Sequence, residues 1–191
     1  MSTSFPIATV TAALRSLLRA QVPLVDDELA DLAVTTQPPD RARQQIGVPS
    51  LDLYLYATSL GGTSLGGAGM GGGQPPPGPV FGRDRGRSAA PPVLDLHYLL
   101  TAYGPSGDRD TVDQRILGAA MGVLHDRPVL SGADEVPGSG PSDATPPFDS
   151  VRIAPTPLSI DDLAHLWSAL RTPLRLSAAY TASVVPFRPD V

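Results

Sequence analysis

The chain has 191 residues, a formal charge of -5 and no cysteine, and arginine supplies every basic residue other than histidine. This length suits one ordinary domain, and the acidic balance argues against a nucleic-acid-binding protein, which needs a basic face to neutralise phosphates. Without cysteine there can be no disulfide, thiolate metal site or cysteine nucleophile, and without lysine no Schiff base or phosphate-loop lysine.

The N-terminal part predicts one amphipathic helix. Apolar residues fall at helical spacing from Ile7 to Leu18, and Ser4 can cap the first turn. The helix should end near Gln21. The pattern that follows is weak, with one possible short strand at residues 34–36 before a Pro-Pro break.

Two later segments predict β-strands. In residues 50–57, three leucines alternate with Asp52, Tyr54 and Tyr56, which is the period of a strand with two different faces. Residues 93–103 form a longer and largely apolar run, which is typical of a strand in the middle of a sheet. These two strands can pair as a hairpin.

The C-terminal half predicts two helices and a last strand. Asp110 can cap a helix that runs to about His125, and Ser159 begins a capping arrangement with an acid three residues later. Residues 174–185 alternate as a two-faced strand. The order predicts an α/β (α+β) fold, in which about three helices pack on one face of a small mixed or antiparallel sheet.

Two intervals interrupt this order. Residues 58–92 contain a glycine-rich run followed by three consecutive prolines, and residues 133–149 mix Pro, Gly, Ser and Asp. Such segments bury too little apolar surface to order themselves, so we expect a flexible insertion and an exposed loop, respectively. Neither resembles an interdomain linker, and the sequence predicts a single domain over residues 1–191.

The insertion contains two apparent catalytic or cofactor motifs. Residues 62–66 match the G-x-S-x-G nucleophile elbow around Ser64, and Gly67, Gly69 and Gly72 match the dinucleotide fingerprint. Both motifs require a helix directly after the glycines, and here more glycines and then prolines follow. We therefore expect neither a serine hydrolase nor a cofactor site.

No metal or acid–base site is indicated elsewhere. His97, His125 and His165 lie singly on one strand and two helices, without a second histidine or acid at ligand spacing apart from Asp126, which directly follows His125. His97 lies in an apolar strand and should be a hydrogen-bonded, partly buried histidine. The Asp161–Asp162 pair is explained by the helix dipole, and Trp167 by core packing. The sequence thus predicts no enzyme, cofactor or metal.

Several segments together resemble a known family. They are LRSLL at residues 14–18, LYLY at 53–56, PVLDLHYLLTAYG at 92–104, the segment 116–130, and the C-terminal segments 158–168 and 174–180. The chain is similar to cap, or tail-terminator, proteins of phage-tail-like extracellular contractile injection systems. It departs from the family pattern after Tyr56, where the glycine-rich stretch replaces a short polar connection.

The resemblance implies a structural role. A protein of this family assembles as a ring, by analogy a hexamer, on the terminal rings of the inner tube and sheath at the end remote from the baseplate, where it stops polymerisation. The expected partners are other copies of the chain, the terminal tube ring and the terminal sheath ring, with neither nucleic acid nor direct membrane insertion. The resemblance also implies incorporation into the injection particle. Synthesis in the cytoplasm is expected, because the sequence shows neither a charged leader nor a long apolar run.

The last predicted strand is our candidate interface. We expect it to lie near the sheet edge and to pair with an extended arm of the sheath. Its interface residues would be Leu176, Ala178, Tyr180, Ala182 and Val184. Two alternatives remain open, namely a serine hydrolase using Ser64 and a free-standing adaptor whose Gly/Pro-rich loop folds on a partner.

Overall fold

The computed structural model describes residues 6–42, 48–60, 93–104, 111–131 and 148–186. In this part of the chain the helices are α1 (Ile7–Val25), α2 (Pro39–Ala42), α3 (Val112–Asp126) and α4 (Ile160–Ala169), with a 3-10 turn at Asp27–Leu29. The strands are β1 (Ala33–Thr35), β2 (Ser50–Leu60), β3 (Leu94–Tyr103), β4 (Val129–Ser131), β5 (Phe148–Thr156) and β6 (Ser177–Pro186).

The six strands form one mixed sheet in the order β1-β2-β3-β6-β5-β4. β1 runs parallel to β2, and every other neighbouring pair is antiparallel. β3 lies in the middle, as its apolar sequence predicts. β6 lies beside it, with β5 on its other side. The expectation that the last strand lies near the sheet edge is therefore wrong, because both of its edges are already paired.

The main core lies between the sheet and helices α1 and α3. We call this side of the sheet the helix face; its side chains include Leu53 of β2, Leu96 and Tyr98 of β3, and Ala182 of β6, all almost fully buried. The Tyr98 hydroxyl reaches Thr11 Oγ1 of α1 at 2.8 Å, and burial raises the pKa of Tyr98 to about 12. Apolar burial is what holds α1 and α3 on the sheet.

The other side, here called the α4 face, carries the residues that alternate with this core. It includes Asp52 on β2, His97 and Tyr103 on β3, and Thr181 on β6. Helix α4 covers part of this face. Its Trp167 side chain lies beside Tyr103, where the two line a cavity, and Trp167 is only 2% exposed. The fold class is confirmed. The helices, however, lie on both faces of the sheet, because α1 and α3 pack on the helix face and α4 packs on the other face through Trp167.

The element bounds mostly follow the predictions, with identifiable exceptions. Helix α1 continues to Val25 despite Pro23. The residue that precedes α3 is Thr111, not Asp110, and Asp110 lies outside the described residues, as does Ser4. Ser159 caps α4 as predicted, with a full capping box.

Each of the two predicted loops, residues 58–92 and 133–149, overlaps a strand at one end. β2 runs to Leu60, so residues 58–60 belong to the sheet, and the rest of the predicted insertion, residues 61–92, lies outside the described part. β5 begins at Phe148, which is fully buried, so residues 148–149 also belong to the sheet. Neither β4 nor β5 is predicted by the sequence pattern.

Candidate functional site

A row of hydrogen bonds crosses four strands on the α4 face. Ser59 Oγ of β2 lies 3.1 Å from His97 Nε2, and His97 Nδ1 lies 3.1 Å from Thr181 Oγ1 of β6. Thr181 Oγ1 in turn lies 2.7 Å from Thr156 Oγ1 of β5. Both ring nitrogens of His97 thus have partners, which confirms the prediction of a hydrogen-bonded, partly buried histidine.

The Ser59–His97 contact does not amount to a catalytic triad. In such a triad a carboxylate orients the histidine through its second ring nitrogen, but that nitrogen here meets the Thr181 hydroxyl. The nearby carboxylate of Asp95 accepts instead from Ser183 Oγ at 2.6 Å. Ser64 of the predicted alternative lies outside the described residues, as do Gly67, Gly69 and Gly72.

This polar row forms the floor of a cavity of about 550 Å³ between the sheet and the N-terminal half of α4. Its lining combines apolar side chains with two carboxylates, and comprises Tyr56, Ala57, Asp95, His97, Thr156, Pro157, Leu158, Asp162, Leu166 and Thr181. The Tyr56 ring lies 6.0 Å from the His97 ring, centroid to centroid. A cavity of this size and mixed chemistry is typical of a binding site.

Asp162 keeps its negative charge in this cavity. The Ser159 hydroxyl donates to Asp162 Oδ2 at 2.7 Å, and the Ser159 backbone N–H donates to the same atom at 3.3 Å. These hydrogen bonds lower the pKa of Asp162. Because both use Oδ2, the other carboxylate oxygen stays available to a ligand.

A second unusual carboxylate, Asp52, is fully buried under the α4 face. Thr35 Oγ1 of β1 donates to Asp52 Oδ1 at 2.8 Å, while Asp52 Oδ2 and Thr101 Oγ1 have no partner among the described residues. Burial is the main reason that the pKa of Asp52 rises to about 7. No sequence pattern signals this carboxylate, because its position in the alternation predicts an exposed side chain.

The predicted interface residues do not form one surface. Tyr180, Ala182 and Val184 are buried in the main core, and Ala178 is half-buried against it, so contact with a partner through these side chains stays a prediction. Leu176 lies just before β6 and is 50% exposed.

Leu176 lies at one end of the sheet, where other large apolar side chains are exposed. It lines a shallow cavity with Leu174 and with Asp113 of α3. Leu24 and Val25 lie at the same end of the sheet. Their neighbour Asp26 accepts a hydrogen bond of 2.7 Å from Arg115 Nη2, and Arg115 lies near the start of α3, as Asp113 does. We call Leu24, Val25, Leu174 and Leu176 the apolar end; all four are at least half exposed.

Other classes of site find little support in the described residues. None of the helices described is long and apolar enough to cross a membrane. The same part of the chain holds no group of three His, Asp or Glu side chains that could bind a metal ion. His125 and His165 are exposed on α3 and α4.

Two solved structures of contractile injection system components share this fold. One is the PVC sheath/tube terminator of an extracellular contractile injection system in its extended state, with a TM-score of 0.54, 16% identity, and coverage of 99% of this chain and 59% of that chain. The other is the tube-terminating cap of the anti-feeding prophage, with a TM-score of 0.54, 17% identity, and coverage of 95% and 55%. The chain thus spans less than two thirds of the length of either neighbour.

The sequence itself places the chain in a family. No curated protein matches it. The family model of the Pvc16 N-terminal domain, however, matches residues 9–191, which is nearly the entire chain. This chain belongs to the Pvc16 N-terminal domain family.

Proposed function

We propose that this chain is part of a structural cap that forms a ring on the baseplate-distal end of the tube and sheath of a contractile injection system and terminates their polymerisation. The observation that carries the proposal is the shared fold over nearly the whole chain with two solved terminators of such systems. Membership of the Pvc16 N-terminal domain family supports the same conclusion.

The physics of termination requires binding rather than chemistry. A terminator must bind the last ring through one surface and present no copy of the growing surface on the other. In a ring, several weak contacts act together, so each copy needs only a modest interface. We infer that the ring is a hexamer, that its partners are the terminal tube and sheath rings, and that the protein is not an enzyme.

The apolar end is the part of the described chain best suited to such a contact. Its four side chains are large, apolar and exposed, whereas single exposed apolar residues elsewhere are ordinary. Leu176 is the predicted interface residue that this surface retains. The apolar end would contact a neighbouring subunit within the ring or in the ring below.

Electron microscopy of particles from a strain lacking this gene tests the proposed function. We expect tubes or sheaths of uncontrolled length, whereas particles of normal length would refute a capping role. Particles made with Ser64→Ala should keep normal length, which would dispose of the hydrolase alternative. A protein that stays monomeric and never enters particles would favour the adaptor alternative instead.

A double substitution, Leu174→Asp with Leu176→Asp, tests the apolar end. We expect a folded protein that fails to restore normal particle length in the deletion strain, because two carboxylates would be buried in the contact. The matched control is Ile160→Asp, at a residue that is 78% exposed on α4 and away from this end. Normal particles with the double variant would show that this surface is not the interface.

A further inference from the structure

The outer edge of β2 is largely unpaired among the described residues. β1 covers only its first three residues, from Ser50 to Asp52. β3 pairs along the whole of β2 on the inner side, so residues 53–59 leave one edge without a described partner. An unpaired edge of this length is a template for another extended chain.

The backbone geometry identifies a residue whose N–H points outward. Ala33 N–H donates to Pro49 O at 2.9 Å, so the backbone carbonyl of Pro49, the residue just before β2, points toward β1. Along a strand, the backbone N–H and C=O groups of successive residues point alternately to the two edges. A bulge between Leu55 and Ala57 adds one residue to this alternation. Beyond the bulge, the Thr58 N–H points away from β3, and its side chain is exposed.

The cavity on the α4 face opens beside this same stretch of β2. Tyr56 and Ala57 contribute to its lining, so a strand added along the edge would place every second side chain at the cavity. Asp95 and Asp162 are the carboxylates among the described lining residues, which include no arginine. Asp95 uses Oδ1 toward Ser183, and Asp162 uses Oδ2 toward Ser159, so each keeps one oxygen for a cation.

We propose that the outer edge of β2, residues 53–59, and the adjoining acidic cavity bind an extended segment of another subunit of the particle by strand addition, with an arginine or lysine of that segment placed between Asp95 and Asp162. Main-chain hydrogen bonds supply the affinity, and the cavity selects the basic side chain. This inference rests on the proposed function for the identity of the partner. It replaces β6, whose edges are both paired, with β2 as the acceptor strand.

Binding of peptides tests the proposal directly. Fluorescence anisotropy would measure binding of the purified full chain to labelled 12-residue peptides tiled through the tube and sheath subunits encoded with it. We expect one basic, alternating segment to bind, and Thr58→Pro to weaken its binding by about tenfold or more, since proline removes the outward N–H. Thr58→Val keeps the N–H and should bind within about twofold of the unchanged chain.

Two further comparisons separate the edge from the cavity. Asp95→Asn should weaken the basic peptide by about threefold or more and leave a peptide with glutamine at the basic position unaffected. N-methylation of the bound peptide at alternate residues should abolish binding in one register and spare it in the other. That comparison needs no change in the protein, so it decides the question even if Thr58→Pro does not fold.

The outcomes divide clearly. Equal binding by the proline and valine variants, or equal binding by both N-methylated peptides, would overturn the proposal. A Thr58→Pro change that dissociates copies of this chain, with no peptide bound, would assign the edge to a second copy and also overturn it. If no peptide binds while the deletion strain still loses length control, the inference fails and the capping function stands.

Discussion

Thr35 Oγ1 donates a hydrogen bond of 2.8 Å to Asp52 Oδ1, which links the parallel edge strand β1 to β2 through a fully buried carboxyl group. The pKa of Asp52 is raised to about 7, mainly by burial. Below pH 7 the folded chain therefore keeps a proton on Asp52 that the unfolded chain releases near pH 4. The protonated form fits its site because it carries no charge into the core.

This linkage predicts that the protein becomes less stable as the pH rises. Between about pH 4 and 7 the free energy of unfolding should fall, by up to about 4 kcal/mol, and it should level off above pH 7. Asp52→Asn should flatten this dependence, because an amide does not titrate. Urea unfolding at several pH values measures it, with Asp31→Asn at an exposed residue as the control. A slope that survives in Asp52→Asn would contradict the assignment.

Trp167 should hold α4 against the sheet. It is buried against the α4 face, so Trp167→Ala should lower the free energy of unfolding by about 3–5 kcal/mol. Trp167→Phe should cost much less, because the indole N–H has no partner among the described residues and only part of the volume is lost. Thermal unfolding followed by circular dichroism checks both. Ile160→Ala, on the exposed side of the same helix, should change little.

The capping box at Ser159 should stabilise the start of α4. The Asp162 N–H donates to Ser159 Oγ at 3.1 Å, and Asp162 Oδ2 accepts from the Ser159 backbone. Ser159→Ala should lower the free energy of unfolding by about 1 kcal/mol. Ser168→Ala, near the other end of the helix, is the matched control and should have no such cost. Equal effects of the two changes in urea unfolding would argue against the cap.

Val184 and Leu176 belong to the same predicted interface but should respond differently. Val184→Ala should lower the free energy of unfolding by about 2 kcal/mol, since Val184 is fully buried on β6. Leu176→Ala should leave folding unchanged and affect only assembly into particles. Denaturant unfolding and electron microscopy of the two variants distinguish these effects. A loss of stability in Leu176→Ala would show that this residue packs more tightly than its exposure indicates.

Local sequence patterns predict the elements of this fold better than their arrangement. The alternation of Leu51, Leu53 and Leu55 sets the two faces of β2, and Ser159 marks the start of α4, because both signals depend on neighbouring residues. β4 is only three residues long, and β5 contains Pro155 and lacks clean alternation, so neither has a strong local signal.

The candidate site depends on contacts between distant residues, which local patterns do not show. His97 meets Ser59 and Thr181 only because β3 lies between β2 and β6. The sequence predicts His97 as hydrogen-bonded but cannot identify its partners. For the same reason the sequence alone does not predict that β6 lies between β3 and β5. Strand order in a sheet depends on long-range packing, and the residues of a strand do not identify its neighbours.

The position of β6 also has a consequence for how the chain is made. It is the last strand described, yet it joins β3 to β5 and so connects the two halves of the sheet. While a ribosome is still adding residues 177–186, β2 and β3 can form a hairpin, but β5 and β4 have no strand to attach them to it. The apolar side chains of β4 and β5 therefore stay exposed until residues 177–186 have left the ribosome, and a chaperone can bind them during this interval.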